Sequence, residues 1–232
     1  MPHCITRHLP NTLTCLNLFS GCVACVMAFH TRYETALCFI LLSAVFDFLD
    51  GTAARLLHAY SAIGKDLDSL ADMVSFGLAP SAMLFVLLGE ETMTGGWLAE
   101  LFPYAAFLLA VFSGLRLAKF NNDTRQTSSF VGLPVPADAL FWASLVVGIQ
   151  SHHYSIAQPL YLLPLILFFA WLLVSEIPMF SLKIKSWTWK ENRVRYLFLA
   201  GCVPLLVWLG ACGFAAVIVW YILLSLFTPK RT

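Results

Sequence analysis

The sequence reads Asp47-Phe48-Leu49-Asp50-Gly51-Thr52-Ala53-Ala54-Arg55 and, after eight intervening residues, Gly64-Lys65-Asp66-Leu67-Asp68-Ser69-Leu70-Ala71-Asp72. This stretch holds five of the thirteen acidic residues, yet it joins two apolar runs at about 34–56 and 69–89. Asp47 and Asp50 are three apart and Asp68 and Asp72 four apart, so each pair falls on one face of its helix. The first pair ends one apolar run and the second begins the next. A turn at 57–66 between the two runs brings the pairs together. Four converging carboxylates repel one another and need a cationic partner. Only Arg55 and Lys65 are available within the stretch. Charge balance therefore favours divalent ions that take hard oxygen ligands, Mg²⁺ or Mn²⁺. Gly51, Ala54 and Gly64 lack bulk and let a flat base or a phosphate approach the backbone. Arg55 offers a fork of donors to a phosphate or to a carboxylate of the cluster. Asp66 belongs to neither pair and reads as a cap or a solvated charge.

Outward from this stretch the chain is apolar. Of 232 residues 59% are hydrophobic and 12% charged, against roughly 25% charged in a soluble domain. So short a chain cannot cover itself with polar surface, and a bilayer must supply much of its surroundings. Apolar runs at about 12–29, 34–56, 69–89, 97–120, 134–151 and 159–181 approach or reach the roughly 20 residues that cross a hydrocarbon core. The stretch 196–228 would extend about 50 Å as one helix, and Gly210 and Gly213 near its middle favour two helices meeting in a tight turn. The expectation is an all-α polytopic bundle of about eight transmembrane helices. It forms one domain over 1–232, with a core at 9–181 and a C-terminal helical hairpin at 195–228.

Charge placement orients that bundle. Eight spans put thirteen of the fourteen basic residues on one side and leave Arg32 on the other, with Glu90, Glu91 and Glu100. By the positive-inside rule the basic side, which carries both termini and the carboxylates, is cytoplasmic. No cleavable signal peptide is read at the first apolar segment, which carries Asn17. The seven cysteines lie mostly within apolar runs and read as small packing residues; Cys22 and Cys25 form a CxxC too deep in apolar sequence to argue for metal. The polar run 182–195 reads as an interfacial loop with tryptophan anchors. A net charge of +1 gives no sign of nucleic-acid binding.

The spacing D-x-x-D-G-x-x-A-R-x8-G-x-x-x-D-x-x-x-D, complete from Asp47 to Asp72, resembles the signature of the CDP-alcohol phosphotransferases, membrane enzymes of phospholipid synthesis. That resemblance implies that Asp47, Asp50, Asp68 and Asp72 hold two Mg²⁺ or Mn²⁺ ions. It further implies that Asp72 takes the proton of an attacking hydroxyl, and that Gly51, Ala54, Arg55 and Gly64 line a cytidine nucleotide pocket. Four further runs are similar to the serine-accepting branch: Pro10-Asn11-Thr12-Leu13-Thr14-Cys15-Leu16-Asn17-Leu18-Phe19-Ser20-Gly21; Met73-Val74-Ser75-Phe76-Gly77-Leu78-Ala79-Pro80; Gly114-Leu115-Arg116-Leu117-Ala118-Lys119-Phe120-Asn121; and Gly132-Leu133-Pro134-Val135-Pro136. The implied substrates are CDP-diacylglycerol and L-serine and the implied product, besides the lipid, is CMP, with a homodimer as the assembly.

Arg116, Lys119, Asn121 and Thr14 are the candidates to contact a lipid phosphate or serine. Alternatives stand beside each: Asn11 or Thr14 as caps of span one, Arg116 and Lys119 as snorkelling interfacial cations. Asp138, where the branch commonly has a small apolar residue, reads as a cap of span five or a contact to polar substrate. Another acceptor, glycerol 3-phosphate or inositol phosphate, is the alternative within the family. A cation transporter using membrane carboxylates is the alternative outside it.

Overall fold

The computed structural model describes residues 2–59, 61–91, 100–122, 130–152, 159–180 and 189–227. Helix α1 (Pro2–Phe29) and helix α2 (Tyr33–Leu56) are joined by a turn in which Thr31 takes a left-handed φ of 56°. The two helices pack along much of their length. Ala24 and Ala28 of α1 and Ala36 of α2 are fully buried, small side chains that let helix backbones approach closely. Helix α1 starts well before the first apolar run and carries Pro10 in its interior. Neither Asn11 nor Thr14 therefore caps it, which corrects that alternative.

Helix α3 (Ala62–Asp72) runs without a break through a π-helical turn, Met73–Leu78, into helix α4 (Ala79–Glu91). Ser61 begins it in extended geometry, its hydroxyl accepting from Gly64 N at 2.9 Å, as an N-cap serine does. The helix thus starts seven residues before the apolar run at 69, and the turn expected at 57–66 shrinks to 57–61. Asp66 is then exposed in mid-helix, a solvated charge rather than a cap. The run Ala62–Glu90 is the centre of the bundle: 67% of its apolar window is buried, against 22–33% in the other long spans.

A short 3-10 turn, Phe102–Ala106, leads into helix α5 (Phe107–Asn122). Helices α6 (Val135–His152) and α7 (Pro159–Val174) follow, packed partly through stacked Phe141 and Phe169 rings 4.1 Å apart. Strands β1 (Phe130–Val131) and β2 (Pro178–Met179) form a two-residue antiparallel ladder with Phe130 opposite Met179. Gly132 has φ +77°, and a Cβ there would lie 2.7 Å from the Leu173 carbonyl oxygen, so only glycine fits that corner.

Helices α8 (Trp189–Leu209) and α9 (Gly213–Phe227) are separated by a 3-10 turn at Gly210–Cys212, with Gly210 at φ +55°. They fold back on each other, and a Cβ on Gly201 would lie 2.5 Å from Trp220 Nε1. Because α8 begins at Trp189, the second half of the expected 182–195 loop is helical; residues 181–188 lie outside the described residues.

Five described runs are long and apolar enough to cross a membrane: His8–Phe29, Tyr33–Leu56, Ala62–Glu90, Phe102–Asn122 and Asn192–Phe227. The last contains the α8–α9 turn, and Val135–Ser151 and Tyr161–Val174 are shorter apolar helices. A polytopic helical bundle follows; the count of eight crossings goes beyond what length and composition establish. The outer face matches a lipid setting, with Phe19, Phe48, Val207 and Trp208 each at least 65% exposed.

Candidate functional site

The last turns of α2 carry Asp47 and Asp50, and α3 carries Asp68 and Asp72. Asp47, Asp50 and Asp68 each offer a carboxylate oxygen, and these oxygens lie within 4.8 Å of one another. Asp72 is buried behind them, with Asp47, Asp68 and Asp50 as its charged neighbours.

Helix α1 closes the third side. Thr14 Oγ1 lies 2.6 Å from Asp50 Oδ2 and 3.0 Å from the Pro10 carbonyl. One hydroxyl proton serves one of them, and the shorter bond to a charged acceptor is the stronger. Asn17, one turn further along the same face, donates Nδ2 to Asp72 Oδ1 at 3.1 Å. Its own main-chain carbonyl accepts from Ser43 Oγ at 3.1 Å and Ser75 Oγ at 3.0 Å. The sequence reading placed Asn17 in a motif without giving it a role. An amide inside an apolar helix was the available signal, since polar groups in membrane spans are expensive to keep.

The donor set fits a hard divalent cation. Three carboxylates converge with Asp72 as their charged neighbour, Asp68 Oδ1 is buried without a hydrogen-bond partner, and the two cations of the 47–72 stretch are turned elsewhere. Arg55 Nη2 donates to Thr52 Oγ1 at 3.2 Å, and Lys65 Nζ donates to the Asn121 carbonyl at 2.9 Å. An oxygen-only cluster with an orphaned buried acceptor is the kind of site Mg²⁺ or Mn²⁺ occupies.

Around the cluster the expected residues divide. A Cβ on Gly51 would meet nothing within 4 Å, so open space adjoins the first carboxylate pair. Gly64 instead sits where α3 meets α1, since a Cβ there would lie 2.9 Å from Ser61 Oγ and 3.0 Å from Asn11 Oδ1. Ala54 is half-buried and Arg55 exposed. Arg116 is buried, its Nε donating to the Leu133 carbonyl at 2.6 Å while Nη2 has no partner. Its guanidinium lies 5.7 Å from the Phe120 ring centre, and Asp72 is among its charged neighbours. Lys119 is exposed. Asn121 Nδ2 donates to Ser69 Oγ at 2.7 Å, so Asn121, with Lys65, straps α5 to α3. Thr14 and Asn121 thus direct polar groups at the protein itself.

Asp138 does not cap α6. The amides of Ala137 and Asp138 bond the Pro134 carbonyl, and the buried carboxylate faces the indole N–H of Trp142, one turn along α6. A cavity of about 270 Å³ lies at the opposite end of α2, between Thr31–Thr35 and Val147, Gln150 and Ser151. Fifteen helical residues, about 22 Å at 1.5 Å each, separate Arg32 from Asp47, so this cavity is not part of the carboxylate site.

Fold and site together define a helical bundle suited to a membrane, with a carboxylate cluster that can hold a metal where two of its long apolar helices approach each other. The chain belongs to the CDP-alcohol phosphatidyltransferase family, whose profile matches residues 7–187. Among similar proteins, the CDP-diacylglycerol–serine O-phosphatidyltransferase of Helicobacter pylori is 31% identical over 147 residues, covering 62% of this chain and 60% of that protein. The proteins of the same name from Mycobacterium leprae and Bacillus subtilis are 37% and 33% identical, covering 57% and 64% of this chain and 44% and 78% of their own lengths. The match thus spans less than two thirds of the first two.

Proposed function

We propose that this protein transfers a phosphatidyl group from CDP-diacylglycerol to L-serine, giving phosphatidylserine and CMP. The observation that carries the reading is the convergence of Asp47, Asp50 and Asp68, with Asp72 as their charged neighbour, in a chain of the CDP-alcohol phosphatidyltransferase family. The serine acceptor is supported by the names of its relatives. Two Mg²⁺ or Mn²⁺ ions, held by the four aspartates, would neutralise charge on the diphosphate and on departing CMP.

The chain's own groups supply the rest. Asp72, buried and held by Asn17, accepts the proton of the serine hydroxyl as its oxygen bonds to the lipid-proximal phosphorus. The bond from that phosphorus to the CMP oxygen breaks, and CMP leaves. The open space beside Gly51, with Ala54 and Arg55, admits the cytidine nucleotide, and Gly64 seats α3 against α1 at its edge. Arg116, buried with Nη2 unpartnered, is placed to hold the lipid phosphate or the serine carboxylate, with Lys119 nearer the solvent. Positive-inside counting puts the site and both termini on the cytoplasmic face, and the family resemblance adds a homodimer.

The test is CMP release by purified protein given CDP-diacylglycerol, Mn²⁺ or Mg²⁺, and a panel of alcohols. Serine is expected to be the best acceptor. A preference for glycerol 3-phosphate or inositol phosphate would overturn the acceptor and keep the chemistry; metal flux in liposomes without CMP release would overturn both.

A further inference from the structure

We infer that Asn17 is a positioning residue that aims the Asp72 carboxylate at the acceptor hydroxyl. The inference rests on the proposed role of Asp72 and extends it to a residue outside the eight-residue signature. A carboxylate only accepts, so the amide must turn its Nδ2 toward Asp72 Oδ1, 3.1 Å away. That orientation leaves Asn17 Oδ1 buried with no partner. An amide free to turn would satisfy both ends; this one is held with one end unmet.

The hold comes from two other elements. Ser43 of α2 and Ser75 of the π-helical turn both donate to the Asn17 main-chain carbonyl. Asn17, Ser43 and Ser75 are all fully buried. The three segments that carry the site, α1, α2 and α3 with its π turn, therefore meet at one residue. Close packing locks the arrangement, since a Cβ on Gly21, one turn beyond Asn17, would lie 2.2 Å from Ser75 Oγ. Asp72 also sits immediately before the π turn, where a helix departs from its regular register. Its carboxylate thus takes its direction from a neighbour on another helix as well as from its own backbone.

Asn17 touches Asp72, not substrate, so its loss is expected to separate turnover from binding. In purified Asn17→Ala protein, kcat should fall about ten- to a hundredfold, the range for losing the partner that orients a catalytic ligand. Half-saturating CDP-diacylglycerol and serine should stay within about threefold of wild type, because an interaction needed only in the transition state lowers kcat alone. Protection of the folded protein by CMP against heat should persist.

Unchanged kcat overturns the inference, as does a kcat loss matched by loss of CMP protection, which marks general disruption of the pocket. If Asn17→Ala does not fold, Ser43→Ala combined with Ser75→Ala decides: a smaller kcat loss with CMP protection kept supports the inference, and wild-type kcat overturns it. Wild-type protein in the same assay separates the two levels. No CMP release with any acceptor sinks the activity reading, whereas active wild type with equally active Asn17→Ala sinks this inference alone.

Discussion

At Gly51 a methyl group would meet no atom within 4 Å, whereas at Gly21 it would lie 2.7 Å from the Ser75 Cα. The two glycines therefore fail differently. Gly21→Ala overpacks the α1–π-turn contact, with an expected cost of about 1–3 kcal/mol, read as a lower Tm in detergent. Gly51→Val should keep its Tm but intrude on ligand space, weakening CMP protection by about ten- to a hundredfold if the clash costs a similar energy. Full protection in Gly51→Val would remove the nucleotide from that space. Asp72→Asn keeps shape and loses the base, so turnover should fall about 10²–10⁴-fold with folding intact; near-normal turnover would take Asp72 out of the proton transfer. The carboxylates were legible in the sequence because charges at helical spacing in apolar runs are too costly to keep without a function. The partner of Asn17 was not, because Asp72 lies 55 residues away and spacing along one helix does not say what faces it from another. Asp138 misled for the same reason: a carboxylate in a first turn looks like a cap until it is seen buried against Trp142.

Among the helices, the π turn Met73–Leu78 has the most to say about the site. Each residue of an α-helix turns the chain by about 100°, and a π turn adds one residue without moving the flanking helices apart in the bundle. Deleting Val74 should let the segment relax to α-helix. Because the deletion removes the extra residue, Asp68 and Asp72 should keep their register against α4 and CMP protection should persist, while turnover falls as Ser75 leaves the Asn17 carbonyl. A Val74 deletion with wild-type turnover would show that the π turn does not serve the site. The bundle itself was legible from hydropathy. The π turn was not, since its residues, Met-Val-Ser-Phe-Gly-Leu, carry no local mark of the wider turn. The early start of α3 was missed because 61–66 is polar and looks like a loop; the Ser61 hydroxyl on Gly64 N shows it to be a capped helix start.

For the whole molecule, the orientation rests on charge and is open to direct measurement. In protein whose seven native cysteines are replaced by alanine or serine, His30→Cys at the α1–α2 turn should react with an impermeant maleimide on intact cells. His58→Cys, beside the carboxylates, should react only after permeabilisation, and the opposite pattern would invert the topology. Chelation by EDTA should abolish CMP release, and Mn²⁺ should restore it. The tight α1–α2 turn around Thr31 bears on how the protein is made. Thr14 and Asp50 are 36 residues apart on helices joined by that turn, while Asn17 waits for Asp72 another 22 residues along the chain. Chain is synthesised at about 5–20 residues per second, so the first half of the site is complete a second or more before its second half exists. The early hairpin presents a finished edge, and α3 docks against it to complete the carboxylate cluster.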